Sequence, residues 1–123
     1  MQSLEINLSR SAQDIPIVQL RGEIDLHTCP DLRAALQRLM EEGNHRIVLN
    51  MSEVPYLDSA ALGVLVDAQR RARERDGEIY LAQMTPFVLR AFEITRLIRI
   101  FQVFPTIADA TNDAAERSQR VVA

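Results

Sequence analysis

The chain opens on a period of two. Leu4, Ile6 and Leu8 alternate with Glu5, Asn7 and Ser9, the pattern of a strand with one buried face. Ser11 to Asp14 turns the chain. The β-rich run Ile15 to Leu20 then pairs with the first strand as a hairpin, with Pro16 at its start or on an edge. Gly22 ends this strand or marks a bulge, and residues 22–30 form a loop that leads into a helix. There the period lengthens: Leu32, Ala35, Leu36, Leu39 and Met40 keep the i, i+3, i+4, i+7, i+8 spacing of a buried helical stripe. Thr28 or Cys29 is its cap, Pro30 sits in the first turn where a missing N–H costs nothing, and Gly43 supplies a left-handed stop.

Arg46 to Asn50 is a short apolar run bounded by polar residues, which predicts a buried central strand. A loop with Pro55 carries the chain to Leu57-Asp58-Ser59, at the mouth of an apolar helix that runs to about Gly77. In that helix Leu62, Leu65, Val66 and Ala72 share one face, and Asp67, Arg70, Arg71, Glu74 and Arg75 lie mostly on another. Ile79 to Ala82 is the next strand. Thr85-Pro86 starts a helix containing Val88, Leu89, Phe92 and Ile94, Ile100-Phe101 makes one more short strand, and Thr106 to about Arg120 is a weakly amphipathic helix with fraying ends.

Strands therefore alternate with helices once the hairpin is passed. That order implies an α/β fold with parallel strands and right-handed crossovers, mixed because the hairpin is antiparallel. The strand before Asp58-Ser59 is then central, and the pair sits at the C-terminal end of the sheet, where open α/β sheets carry their function. Asp and Ser both favour helix caps, so capping alone accounts for Ser59; the same position also leaves a hydroxyl exposed beside a partial positive charge.

Composition narrows the classes of partner. At 123 residues the chain fits one domain. Its net charge of -3 does not favour nucleic acid or an anionic membrane, which points to another protein as partner. A single cysteine, Cys29, rules out an internal disulfide and suits a reducing compartment; with no export signal at the N-terminus and no apolar run long enough to span a bilayer, the expected location is the cytoplasm.

Candidate chemistries mostly fail on missing parts. Asp58-Ser59 lies outside any Gly-x-Ser-x-Gly turn, and only His27 and His45 could serve as a base, so a serine hydrolase is not supported. No glycine-rich phosphate cradle occurs. Asp25, His27 and Cys29 gather three metal-capable side chains, but no second cluster completes them, and no metal or cofactor is expected. A phosphoaspartate receiver would need an acidic pair after the first strand, where this chain has Ser9-Arg10.

Several stretches resemble the STAS domain of bacterial anti-sigma factor antagonists. They are Gly22-Glu23-Ile24-Asp25-Leu26, Asn50 to Val54, the block Leu57-Asp58-Ser59-Ala60-Ala61-Leu62-Gly63-Val64-Leu65, Thr85-Pro86 through Leu97, and Ile100 to Phe104. The likeness covers nearly the whole chain. It implies a STAS domain over residues 1–112, a helix end and frayed tail over 113–123, and a mixed sheet with about four helices largely on one face. It also implies a non-enzymatic module in which Ser59 is phosphorylated by an anti-sigma factor that is a serine kinase. The unphosphorylated form then sequesters that factor and frees a sigma factor, and a serine phosphatase resets the switch. Asp25, Thr28, Asp58, Ser59, Ala60, Ala61 and Gly63 are the expected partner-binding positions. The other function open to such a domain is docking on a transporter or larger signalling assembly without phosphorylation. Two positions depart from the family pattern, which usually has glycine where this chain has Ala61 and Arg96. Ala61 narrows backbone approach at the partner surface, and Arg96 removes an easy left-handed helix stop.

Overall fold

The computed structural model describes residues 3–122, with side chains through Gln119. Five strands, β1 (Glu5–Arg10), β2 (Pro16–Arg21), β3 (Arg46–Glu53), β4 (Glu78–Ala82) and β5 (Gln102–Phe104), form one sheet in sequence order. β1 and β2 pair antiparallel and the remaining pairs are parallel. Helices α1 (Cys29–Glu41), α2 (Ser59–Arg73) and α3 (Pro86–Ile94) join the parallel strands, and α4 (Ile107–Val122) follows β5. Because the strand order advances in one direction, right-handed crossovers put α1, α2 and α3 on the same face. The second face is left to α4.

The register makes both cores continuous. Val18, Leu49, Leu81 and Val103 stand in one row across β2 to β5, on the face covered by the three crossover helices, while Leu8, which continues the row on the edge strand β1, is exposed. Leu32, Leu36 and Leu39 of α1, Ala61, Val64, Leu65, Ala68 and Ala72 of α2, and Val88 and Phe92 of α3 close over that face. Each large apolar side chain enclosed here contributes on the order of 1.5–3 kcal/mol. On the other face Val48, Tyr80 and Ala82 pack with Ala110 and Ala114 of α4. α4 runs unbroken across residue 112, with a buried alanine on either side of it. The fraying expected at its end falls on Ala123 and on side chains beyond Gln119, which lie outside those described.

Three details correct the sequence reading. The inward face of α2 is rotated by one position: Ala61 and Val64 are buried, while Leu62 and Val66 are half-buried. β3 continues to Glu53 rather than stopping at Asn50, because Gln19 and Arg21 of β2 extend the ladder to Asn50 and Glu53 across a register shift. The last strand is Gln102–Phe104, not Ile100-Phe101. Leu97–Arg99 forms a 3₁₀ turn, the Ile100 carbonyl accepts from the Gln69 amide at 2.7 Å and from Arg73 at 2.9 Å, and Phe101 turns inward against Phe92 at 5.5 Å. Arg96, expected to remove a left-handed stop, adopts that conformation regardless, with φ 63° and ψ 12°. Ile94, at the end of α3, is exposed.

Candidate functional site at the mouth of the second helix

The site is built where two loops zip together at the C-terminal edge of the sheet. Ile24 and Leu57 form an isolated parallel bridge, in which the Ile24 amide donates to the Tyr56 carbonyl and the Asp58 amide to the Ile24 carbonyl, each at 3.1 Å. Ile24 and Leu57 are buried, so this bridge fixes the loop before α1 against the loop before α2.

Asp58, not Ser59, caps α2. Its backbone is extended, with φ -110° and ψ -175°, and its Oδ1 accepts the Ala61 amide at 3.0 Å. Oδ2 accepts the Leu26 amide at 3.1 Å, so one carboxylate holds both the helix and the neighbouring loop. Ser59 is thereby placed in the first helical position, exposed, with its hydroxyl in no hydrogen bond among the described residues. The amides of Ser59 and Ala60, in the first turn of α2, make no hydrogen bond among the described residues.

The loop before α1 is clasped by its own polar side chains. Asp25 Oδ1 accepts the His27 and Thr28 amides at 2.9 and 3.0 Å, and the Thr28 hydroxyl accepts the Asp25 amide while donating to the Glu23 carbonyl, both at 2.9 Å. The bond from the Thr28 amide, with that from His27, holds the Asp25 carboxyl below its ordinary value of 3.8 against a partial burial that works the other way. Thr28 begins α1 without a side-chain cap bond, since its hydroxyl is used in the clasp.

The expected site residues therefore come together, with different roles in the geometry. Asp25, Asp58, Ser59, Ala60 and Gly63 reach the surface, whereas Thr28 and Ala61 are buried. The Ala61 methyl lies in the core, so it acts on packing and does not crowd the outer surface. At Gly63 a methyl would meet nothing within 4 Å, so no neighbour in the fold requires glycine there. Three exposed apolar side chains at this edge were absent from the sequence-based set: Leu26, Tyr56 and Phe87, the last two with rings 5.6 Å apart. The local signal for Leu26 is its place between the polar Asp25 and His27; Tyr56 and Phe87 carry none. Among the described residues no group of three His, Cys, Asp or Glu side chains could hold a metal ion, and Cys29 is buried.

The exposed Ser59 hydroxyl thus stands at the C-terminal edge of a mixed α/β sheet whose strands follow sequence order, with three crossover helices on one face and α4 on the other. The STAS domain family model matches residues 8–110, and this chain belongs to that family, among its anti-sigma factor antagonists. An anti-sigma-B factor antagonist of Staphylococcus aureus is 31% identical over 101 residues, which are 81% of this chain and 94% of the relative. An anti-sigma factor antagonist from Mycobacterium paratuberculosis has the same fold, with a TM-score of 0.81 at 23% identity over 90% of this chain and 93% of that one. So does the phosphorylated form of the Bacillus cell fate determinant SpoIIAA, with a TM-score of 0.69 at 20% identity over 89% and 98%. No helix among the described residues is long and apolar enough to cross a membrane.

Proposed function

We propose that this chain is an anti-sigma factor antagonist switched at Ser59. The unphosphorylated form binds an anti-sigma factor that is also a serine kinase, through the surface around the mouth of α2, and so frees a sigma factor. The observation that carries this reading is the Ser59 hydroxyl, exposed and unbonded beside the Asp58 cap. In the kinase step the Ser59 oxygen attacks the γ-phosphorus of a nucleoside triphosphate held by the partner. A phosphorus–oxygen bond to Ser59 forms, the bond to the departing diphosphate breaks, and the hydroxyl proton passes to a base of the partner. A serine phosphatase reverses the modification.

The added group brings about -1.5 to -2 charges and three acceptor oxygens. The free amides of Ser59 and Ala60 and the positive end of α2 accommodate it, so the fold persists. Binding does not: two unit charges about 4 Å apart at an effective dielectric near 20 interact by roughly 4 kcal/mol, enough to expel an acidic partner group facing Ser59. Asp58 adds to the repulsion from its own side.

Calorimetry and intact mass test this together. Ser59→Ala keeps binding of the cognate anti-sigma factor and takes up no phosphate, while Ser59→Asp folds normally and binds weakly. Binding of Ser59→Asp at wild-type strength would overturn the charge switch. Absence of phosphate uptake by wild type, with the kinase and ATP present, would favour docking without phosphorylation.

A further inference from the structure

We propose that Leu26, together with the Tyr56–Phe87 ring pair, is the apolar anchor by which this domain seats in its protein partner. The inference rests on the reading of Ser59 given above and names the surface that holds the partner while Ser59 reacts. Leu26 is 67% exposed, Phe87 56% and Tyr56 39%. Exposure alone does not single them out, since Ile94 is 69% exposed. What does is that Tyr56 and Phe87 are in ring contact at 5.6 Å and Leu26 lies on the loop bridged to that of Tyr56, so the three gather at one edge.

The three belong to a single rigid frame. The Leu26 amide is held by the Asp58 carboxylate at 3.1 Å, one residue from Ser59. The Asp25–Thr28 clasp fixes the loop that carries it. Tyr56 lies in the bridge that zips the two loops, through its carbonyl. The Thr85 hydroxyl donates to the Val54 carbonyl at 2.9 Å, which ties the start of α3, and with it Phe87, to the same edge. A preformed anchor loses little conformational entropy on binding, so its apolar area converts efficiently into affinity.

The charges here describe the partner's chemistry. Asp25 precedes Leu26, Asp58 accepts its amide, and neither of them nor Glu23 on the same loop makes an ion pair among the described residues. Covering them without compensation is costly, so the partner's apolar pocket is rimmed by lysine, arginine or amide donors on the Glu23–Asp25 side, with the acidic group that phosphate repels on the Ser59 side. In the anti-sigma factor that pocket lies beside the kinase site, because Leu26 and Ser59 flank one carboxylate.

Calorimetric titration with the purified cognate anti-sigma factor, joined to phosphorylation kinetics, tests the anchor. Leu26→Ala and Phe87→Ala are expected to bind at least about tenfold more weakly than wild type. Their KM in the kinase reaction should rise with kcat unchanged, and their unfolding curves should match wild type. Leu8→Ala, which removes a 58% exposed side chain from the edge strand β1, should bind within about twofold of wild type. Wild-type affinity in both Leu26→Ala and Phe87→Ala overturns the anchor and leaves the Ser59 switch standing. Equal weakening by Leu8→Ala also overturns it, since the effect would then be unspecific. Failure of wild type itself to bind the anti-sigma factor removes the Ser59 reading and the anchor with it.

Discussion

Asp58 and Leu26, thirty-two positions apart, are joined by a carboxylate–amide hydrogen bond of 3.1 Å, while the other oxygen of the same carboxylate caps α2. Removing the side chain undoes both. Asp58→Ala should cost about 1–2 kcal/mol in denaturant unfolding, from a lost cap and an unsatisfied loop amide. Asp58→Asn keeps one acceptor and should cost less. Hydrogen exchange checks the coupling: the Leu26 and Ala61 amides should lose protection together in Asp58→Ala, and independent behaviour would refute it.

Gly63 makes the helix less stable than its surroundings require. A methyl there meets nothing within 4 Å, so Gly63→Ala should stabilise the fold by about 0.5–1 kcal/mol, read as a higher thermal midpoint. Under the proposed function it should also weaken the partner complex, because the methyl lands on the surface beside Ser59. A gain in stability with unchanged affinity would place Gly63 outside the interface.

Arg96 occupies a left-handed conformation that its side chain disfavours, with φ 63°. Arg96→Gly should therefore raise stability by about 0.5–1 kcal/mol, with binding unchanged, as measured by urea unfolding. A loss of stability would show that the arginine side chain holds the turn after α3.

The Asp25 clasp is sensitive to acid. Its folded carboxyl titrates below the ordinary 3.8, so the anion is the form the fold favours. The contribution is complete above about pH 4 and is lost as the pH falls through the lowered value. Amide NMR shifts of His27 and Thr28 should move together on that acid limb and stay flat in Asp25→Asn. Titration of those amides at or above the ordinary carboxylate value would contradict the clasp.

Much of this architecture was legible from period alone. The hairpin, the central strand, the stripe of Leu32, Leu36 and Leu39, and the entry to α2 at residues 58–59 all follow from local spacing and capping chemistry. What was not legible depends on distant partners. Asp and Ser are equally good caps, and only the extended backbone of Asp58 decides between them. The shift of the last strand comes from Gln69 and Arg73, which claim the Ile100 carbonyl from another helix. Gln69 is buried, and its carbonyl oxygen also accepts the Ile79 amide at 2.8 Å, a role no local pattern announces. The site was read as polar and small residues, Asp25, Thr28, Asp58, Ser59, Ala60, Ala61 and Gly63; the proposed apolar anchor, Leu26 with Tyr56 and Phe87, emerges only when the two loops are zipped together.

The strict sequence order of the strands also bears on how the chain is made. Each strand after β1 can join the growing sheet as soon as it leaves the ribosome, because its partner has already emerged. The face bearing Val48 and Tyr80 is different, since its cover, α4, follows β5, after all five strands. A chain shortened to end before residue 107 would leave Val48, Tyr80 and Ala82 uncovered on that face, an apolar row open to association with other chains.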